Sequence, residues 1–253
     1  MTHILAVLNQ KGGVGKTTTA INLGAYLAKQ GHSVLLVDMD PQGNATSGLG
    51  VDKATLDSTM YDVLFGEAQA QSSIRETATS NLSVLPANAS LAAAEVDLAS
   101  ETGREFKLKE SLGHLTYDFI LIDCPPALGL LTVNALTAAQ QVLIPVQAEY
   151  YALEGLGQLL DVIQRIRTSL NPSLEILGVV VTMYNSRTSL AEQVVSELKK
   201  HFGEKVLDTI IPRNVRLAEA PSYGRTIADH DKWSKGARAY KQLAKEVIRR
   251  LQN

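Results

Sequence analysis

The sequence predicts an α/β fold, a mostly parallel sheet flanked by helices on both faces, and three observations predict it. Short apolar runs rich in β-formers alternate along the chain with segments whose apolar residues recur every 3.6 positions. The runs are apolar throughout rather than at every second residue, the pattern of strands covered on both faces. No internal repeat, low-complexity tract or Pro/Gly-rich linker divides the 253 residues, so one domain over 1–253 is expected.

Taken in order, the first strand is expected over 4–8, and a glycine-rich turn after it opens an amphipathic helix over 17–29. Strands follow at 34–37 and 82–85, separated by the least regular stretch, 43–80, which holds turn signals and a short helix-like segment at 61–65. That stretch is expected to lie over the sheet edge as a functional loop region. Further apolar runs at 119–122, 142–146, 176–182 and 207–211 complete the strands. Helical periodicity at 153–170, 190–201 and 237–251 supplies the remaining cover, the last through a stripe of Tyr240, Leu243, Ala244, Val247, Ile248 and Leu251.

Composition removes several function classes. With 45% hydrophobic and 20% charged residues, a disordered or fibrous chain is excluded. The longest apolar runs fall far short of the roughly 18 residues a membrane-spanning helix needs. The start of the chain lacks a basic segment and turns polar after Leu8, so it reads as a buried strand rather than a signal peptide, and the cytoplasm is the expected location. A single cysteine, Cys124, excludes an intramolecular disulfide and any cysteine-based zinc site, and is expected to be a small buried residue at a strand end. The net charge of −2 conceals an asymmetry: residues 1–198 hold 11 Lys/Arg against 20 Asp/Glu, and residues 199–253 hold 13 against 6. A basic C-terminal quarter is either a surface for an anionic partner or the solvated faces of helices, and charge alone does not decide between them.

The turn after the first strand reads Lys11, Gly12, Gly13, Val14, Gly15, Lys16, Thr17, Thr18. Glycines let the backbone curl until successive N–H groups point at one spot, and the helix N-terminus adds partial positive charge, so such a loop cradles nucleotide phosphates. Lys16 is placed to neutralise the β and γ phosphates and the Thr17 hydroxyl to ligate Mg²⁺. A plain glycine turn needs neither the lysine nor the hydroxyls.

Three carboxylates follow strand ends: Asp38 and Asp40 after 34–37, and Asp123 after 119–122. The C-terminal edge of an open α/β sheet is where ligands bind. Asp123 has the position of a carboxylate that holds Mg²⁺ through water, Asp40 is the better candidate for orienting an attacking water, and Asp38 belongs near the metal or the loop. For each, an ordinary turn or helix-capping aspartate is the alternative. No His or Ser nucleophile arrangement competes, and His3, His32, His114, His201 and His230 are scattered surface residues by expectation. Phosphoryl transfer to water requires positioning and charge neutralisation rather than covalent chemistry. Trp233, Tyr150 and Tyr151 are expected in core or interface packing, since duplex nucleic acid offers no unstacked bases.

The combination KGGVGKTTT, VDMDPQGNAT, LIDCPP, EYYALEGL and IPRNVRLAEAPSYG resembles the ParA/Soj-type chromosome and plasmid partition ATPases of the deviant Walker A class, over essentially 1–251. The resemblance implies a P-loop ATPase fold, ATP and Mg²⁺ as cofactors, and an ATP-sandwich homodimer in which Lys11 reaches the partner's phosphates. It implies that Asp40 is the hydrolytic aspartate, that bulk at Gly12 blocks dimer closure, and that Pro212, Arg213 and Asn214 lie near adenine and ribose, with Asn185 a weaker base contact. It assigns non-specific double-stranded DNA binding to Arg187 and Arg216, and less firmly to Lys235, with a ParB-like centromere-binding partner and association with the nucleoid. By themselves Arg187 and Arg216 are isolated arginines that read first as surface charges or structural ion pairs.

Two relatives within the class remain as alternatives. One is a MinD-like positioning ATPase on the membrane surface, and the other a ParA-like ATPase that positions cargo. The 237–251 stripe is expected to cover the sheet rather than to seek a membrane, so no stable membrane association is expected. With Lys16 so near Met1, no operator-binding helix-turn-helix is expected before it, and one cysteine cannot supply an iron–sulfur cluster.

Overall fold

The structure is a computed structural model that describes residues 2–149 and 155–252. In chain order its strands and helices are β1 His3–Val7, α1 Lys16–Ala28, β2 Val34–Asp38, α2 Asn44–Gly48, α3 Met60–Leu64, α4 Ala70–Ser73, β3 Arg75–Glu76, β4 Leu82–Leu85, α5 Ala94–Asp97, α6 Lys107–Leu112, β5 Phe119–Asp123, α7 Leu130–Ala138, β6 Gln141–Gln147, α8 Leu156–Ser169, β7 Glu175–Tyr184, α9 Ser189–Phe202, β8 Val206–Pro212, α10 Val215–Glu219, α11 Ile227–His230 and α12 Lys235–Leu251. The eight strands form one sheet in the order β3-β4-β2-β5-β1-β6-β7-β8, parallel throughout except where β3 pairs antiparallel with β4. The α/β fold class is as the sequence predicts.

The sheet is buried on both faces because successive strand residues feed two separate cores. Leu35 and Val37 of β2 join one cluster, with α3 and α6 to α9; Val34 and Leu36 join the other, with α1 and α12. The apolar stripe of α12 lies on the second face, where Tyr240, Leu243, Ala244 and Val247 are buried, so it covers the sheet as expected.

All seven expected strands are present within one or two residues of their ends. The eighth, β3, has only two residues and pairs along the outer side of β4. The 43–80 stretch is more ordered than expected: it carries α2, α3 and α4, and Met60, Val63 and Leu64 sink into the first core. The helix α7 has no counterpart in the periodicity because nearly all of its surface is covered: Leu131, Thr132, Asn134, Ala135, Leu136, Thr137 and Ala138 are buried. A helix with no wet face has no amphipathic signature. Of the helix expected over 153–170, the part from Leu156 to Ser169 is seen; Tyr150 and Tyr151 lie outside the described residues. Among the described residues, no helix is long and apolar enough to cross a membrane.

Candidate nucleotide site

The central strand β1 ends at Val7, and the chain turns over the C-terminal edge of the sheet before α1 begins. The turn is fixed from below. Asn9 donates from Nδ2 to the Pro145 carbonyl (2.7 Å) and accepts the Lys11 N–H on Oδ1 (3.0 Å). The Thr182 hydroxyl donates to the Val14 carbonyl (2.8 Å), which ties the loop to β7. Gly13 (φ +74°) and Gly15 (φ +88°) adopt left-handed conformations closed to most side chains, and Gly15 is the residue that caps α1. Gly12 and Gly13 are exposed at the loop tip and Val14 is buried beneath it.

Lys16 is buried under this loop, 7% exposed, with Nζ donating to the Lys11 carbonyl at 3.2 Å. Burial lowers its pKa, opposed by the neighbouring Asp123, Cys124 and Asp40. Facing it at the sheet edge, Asp38 and Asp123 are register partners across β2 and β5, and both are fully buried. Their roles diverge in the structure. Asp38 Oδ2 accepts the Thr46 N–H (2.8 Å) and hydroxyl (2.7 Å), and Oδ1 accepts the Asp40 N–H (3.2 Å), so its oxygens are spent on anchoring α2 and the 38–40 turn. Burial still pushes its carboxyl up to about 6. Among the described residues, neither oxygen of Asp123 meets a donor in full hydrogen-bonding geometry. Burial, then the adjacent Asp38, holds its carboxyl well above the usual carboxylate range, against the pull of the Thr17 side chain and the Lys16 ammonium.

A buried carboxylate with no donor, beside a hydroxyl, is an incomplete coordination set. The donors are hard oxygens, which suits Mg²⁺. Asp40 is 9% exposed and its Oδ1 accepts the Gln42 N–H (2.9 Å), which holds the carboxylate at the mouth of the site. Cys124 is buried, with burial pushing its thiol up, so it is no nucleophile.

Beside the loop opens a largely apolar cavity of about 360 Å³, lined among others by Gly15, Thr18, Met183, Pro212, Arg213 and Asn214. Its size and lining suit a nucleoside. The three residues expected near the base and ribose are thus brought beside the glycine loop from far along the chain, and the buried Asn214 Oδ1 has no partner among the described residues. Asn185 is not part of this lining; its Oδ1 accepts the Arg187 N–H (3.1 Å) in a tight turn. Sequence reasoning missed Thr182 and Met183. Among the described residues, Met183 is one of two non-glycine residues with positive φ (+52°), at an irregularity in the β7–β8 register, and no local signal announces it.

The basic residues leave the ends of adjacent strands. Arg187 is exposed after β7. Arg216, in α10, forms ion pairs with Glu219 (2.9 Å) and, more loosely, Asp231 (3.7 Å). Lys235 opens α12 and, with Arg238, lines a groove against Tyr184, Ile210 and Pro212. Arg213 pairs with Glu149 at 3.3 Å. Trp233 is 78% exposed, which excludes it from the core.

Comparison with known proteins places the chain among close relatives. A family model described as an AAA domain matches residues 2–176. The sporulation initiation inhibitor protein Soj of Bacillus subtilis (strain 168) is 55% identical over 249 residues, 98% of each chain. The chromosome-partitioning ATPase Soj of Treponema pallidum (strain Nichols) is 52% identical over 252 residues, 99% of this chain and 98% of its own. Among solved structures, cobyrinic acid a,c-diamide synthase from Mycobacterium smegmatis with bound ADP and magnesium is similar with a TM-score of 0.89 and 40% identity, over 100% of this chain and 96% of that one.

Proposed function

The chain belongs to the ParA/Soj family of chromosome-partitioning ATPases, and from that premise we propose a DNA-segregation switch driven by its ATPase cycle. ATP closes a homodimer, the dimer binds double-stranded DNA on the nucleoid without sequence preference, and a ParB-like centromere-binding partner stimulates hydrolysis and releases it. The diamide synthesis named for the M. smegmatis protein is a different reaction, and a shared fold does not transfer chemistry.

In this reading the backbone of Gly12 to Thr18 holds the phosphates and Lys16 neutralises them. Thr17 and, through water, Asp123 would hold Mg²⁺, which would supply neutralisation of phosphate charge there. Asp38 holds the 38–46 segment in place for them. Asp40 orients the water, and Lys11 of each copy reaches the phosphates of the other. Pro212, Arg213 and Asn214 line the base and ribose. Arg187, Arg216 and Lys235 bind phosphates of the duplex. The ion pairs of Arg216 are exposed, so exchanging them for a phosphate costs little.

The observation that carries the dimer switch is the loop tip. A Cβ added at Gly12 meets nothing within 4 Å among the described residues, and in this reading the bulk of Gly12→Val acts against a second copy rather than on its own fold. Co-sedimentation with duplex DNA and with anionic liposomes, each with ATP and ADP, tests the reading. DNA should be bound with ATP alone, and Gly12→Val should bind ATP, stay monomeric and lose DNA. Tight DNA binding by a monomeric Gly12→Val, or ATP-dependent liposome binding in place of DNA binding, overturns it. Burial of the α12 stripe supports DNA over a membrane surface.

A further inference from the structure

Among the described residues, three of the five large exposed apolar side chains lie between positions 215 and 233: Val215, Tyr223 and Trp233. Trp233 is the only tryptophan in the chain. It is not a frayed side chain on a loose loop. Asp231 Oδ1 accepts the Trp233 N–H (3.2 Å), while Asp231 Oδ2 faces Arg216 Nε at 3.7 Å. The next residue, Ser234, donates its hydroxyl to the Asp231 carbonyl (2.9 Å) and caps α12 by accepting the Ala237 N–H (3.1 Å). One carboxylate therefore fixes the tryptophan backbone and the α10 arginine on the same surface. Lys232 Nζ stands 5.3 Å from the indole centroid, and Lys235 and Arg238 follow on the exposed side of α12.

An exposed indole with Lys232 beside it, Arg216 on the same Asp231 carboxylate, and Lys235 and Arg238 next along α12 fits a polyanion that carries flat apolar units between its charges. A membrane surface calls instead for a broad apolar face, and the apolar face of α12 is buried. We propose that the Trp233 indole packs on the deoxyribose of the duplex strand whose phosphates Arg216, Lys232 and Lys235 engage. This rests on the DNA reading above and adds to it an apolar contact beside the charged ones. Sugar packing needs no unstacked base, so it is compatible with duplex DNA. It also releases no counterion, so it strengthens binding at every salt concentration alike.

The test uses the full chain with Mg²⁺ and a non-hydrolysable ATP analogue, titrated with random-sequence duplex while tryptophan emission and the anisotropy of labelled duplex are recorded together. Emission should shift when duplex is added and not when the analogue alone is added. Trp233→Ala should weaken duplex binding roughly tenfold with an unchanged slope of log K against log salt, and Trp233→Phe should recover most of the loss. Lys232→Ala should lower that slope by about one. Thermal melting and basal ATPase of the Trp233 variants should match the parent, since the ring lies outside the core. Duplex binding with unaltered emission would sink the tryptophan contact and leave the DNA reading standing. A shift on adding the analogue alone would put the ring between two copies, and a shift with phosphatidylglycerol vesicles but not duplex would put it on a membrane; either overturns the proposal. Absence of duplex binding in every nucleotide state would instead defeat the DNA reading itself.

Discussion

Two buried carboxylates at opposite regions of the sheet have opposite fates. At the flank where α12 covers the edge strand β8, Glu246 is 5% exposed, accepts the N–H groups of Asp208 and Thr209 at 2.9 Å each, and pairs with Arg250 at 3.2 Å. Burial raises its pKa, but the Thr209 side chain, the two backbone donors and Arg250 outweigh it, and the carboxyl is held below its usual range. At the loop end Asp123 meets no donor in full hydrogen-bonding geometry among the described residues, and its carboxyl is pushed the other way. A carboxylate whose work is structural is completed by its own chain. One whose partner is a ligand is left incomplete, and the unliganded fold carries that cost.

The largest expected effect breaks the nucleotide end. Lys16→Ala removes the cation buried under the loop, and ATP turnover should fall on the order of a thousandfold. Wild-type hydrolysis in that variant would show that the loop does not hold the phosphates.

Asp40→Ala should lower turnover by roughly a hundredfold while ATP and Mg²⁺ binding persist and the ATP-bound dimer accumulates. Size-exclusion chromatography with ATP that shows only monomer would contradict this division of labour. The contrast with Lys16 separates positioning of water from holding of phosphate.

At the flank, Glu246→Gln should cost about 1.5 kcal/mol at neutral pH, a fall in Tm of roughly 3–6 °C for a chain of this size. Because the native carboxyl titrates below the unfolded one, its stabilisation is present above the unfolded value of about 4.3 and disappears as pH falls through the native value. The gap between variant and parent should therefore close in acid. A gap that is constant from pH 3 to pH 7 would mean that Glu246 acts through packing rather than charge.

The smallest effect has the opposite sign. The native Asp123 carboxyl keeps its proton to higher pH than the unfolded chain does, so native stability falls as pH rises from about 4 towards the native value. Asp123→Asn removes that penalty. The nucleotide-free variant should melt above the parent at pH 8 and level with it near pH 4, though Mg²⁺-dependent ATP binding is lost. Destabilisation at pH 8 would mean that the charge is satisfied in the native state after all.

Much of the nucleotide site was legible in the sequence because its chemistry is local. Glycines, lysine and hydroxyls within eight positions specify a phosphate cradle wherever a strand meets a helix, and the seven strand runs announce a doubly covered sheet through composition alone. The divergence of Asp38 from Asp123 was not legible. Both end apolar strand runs, and only the position of Thr46, eight residues beyond Asp38, makes one an anchor and leaves the other open. The helix α7 escaped notice for a related reason, since its neighbours cover it on every side and erase the period that would reveal it.

By itself, the sequence determined the fold class, the glycine loop between β1 and α1 and the set of carboxylates at the strand ends, because each depends on residue types at short spacing and on backbone preferences that act locally. The tertiary structure alone decided which buried charges are completed, how Met183, Pro212 and Asn214 close a cavity beside the loop, and that Trp233 stands in solvent on the same carboxylate as Arg216. Those outcomes depend on which strands become neighbours. Hydrogen-bond satisfaction and burial are settled between residues far apart in the chain, and no short window of sequence contains both partners.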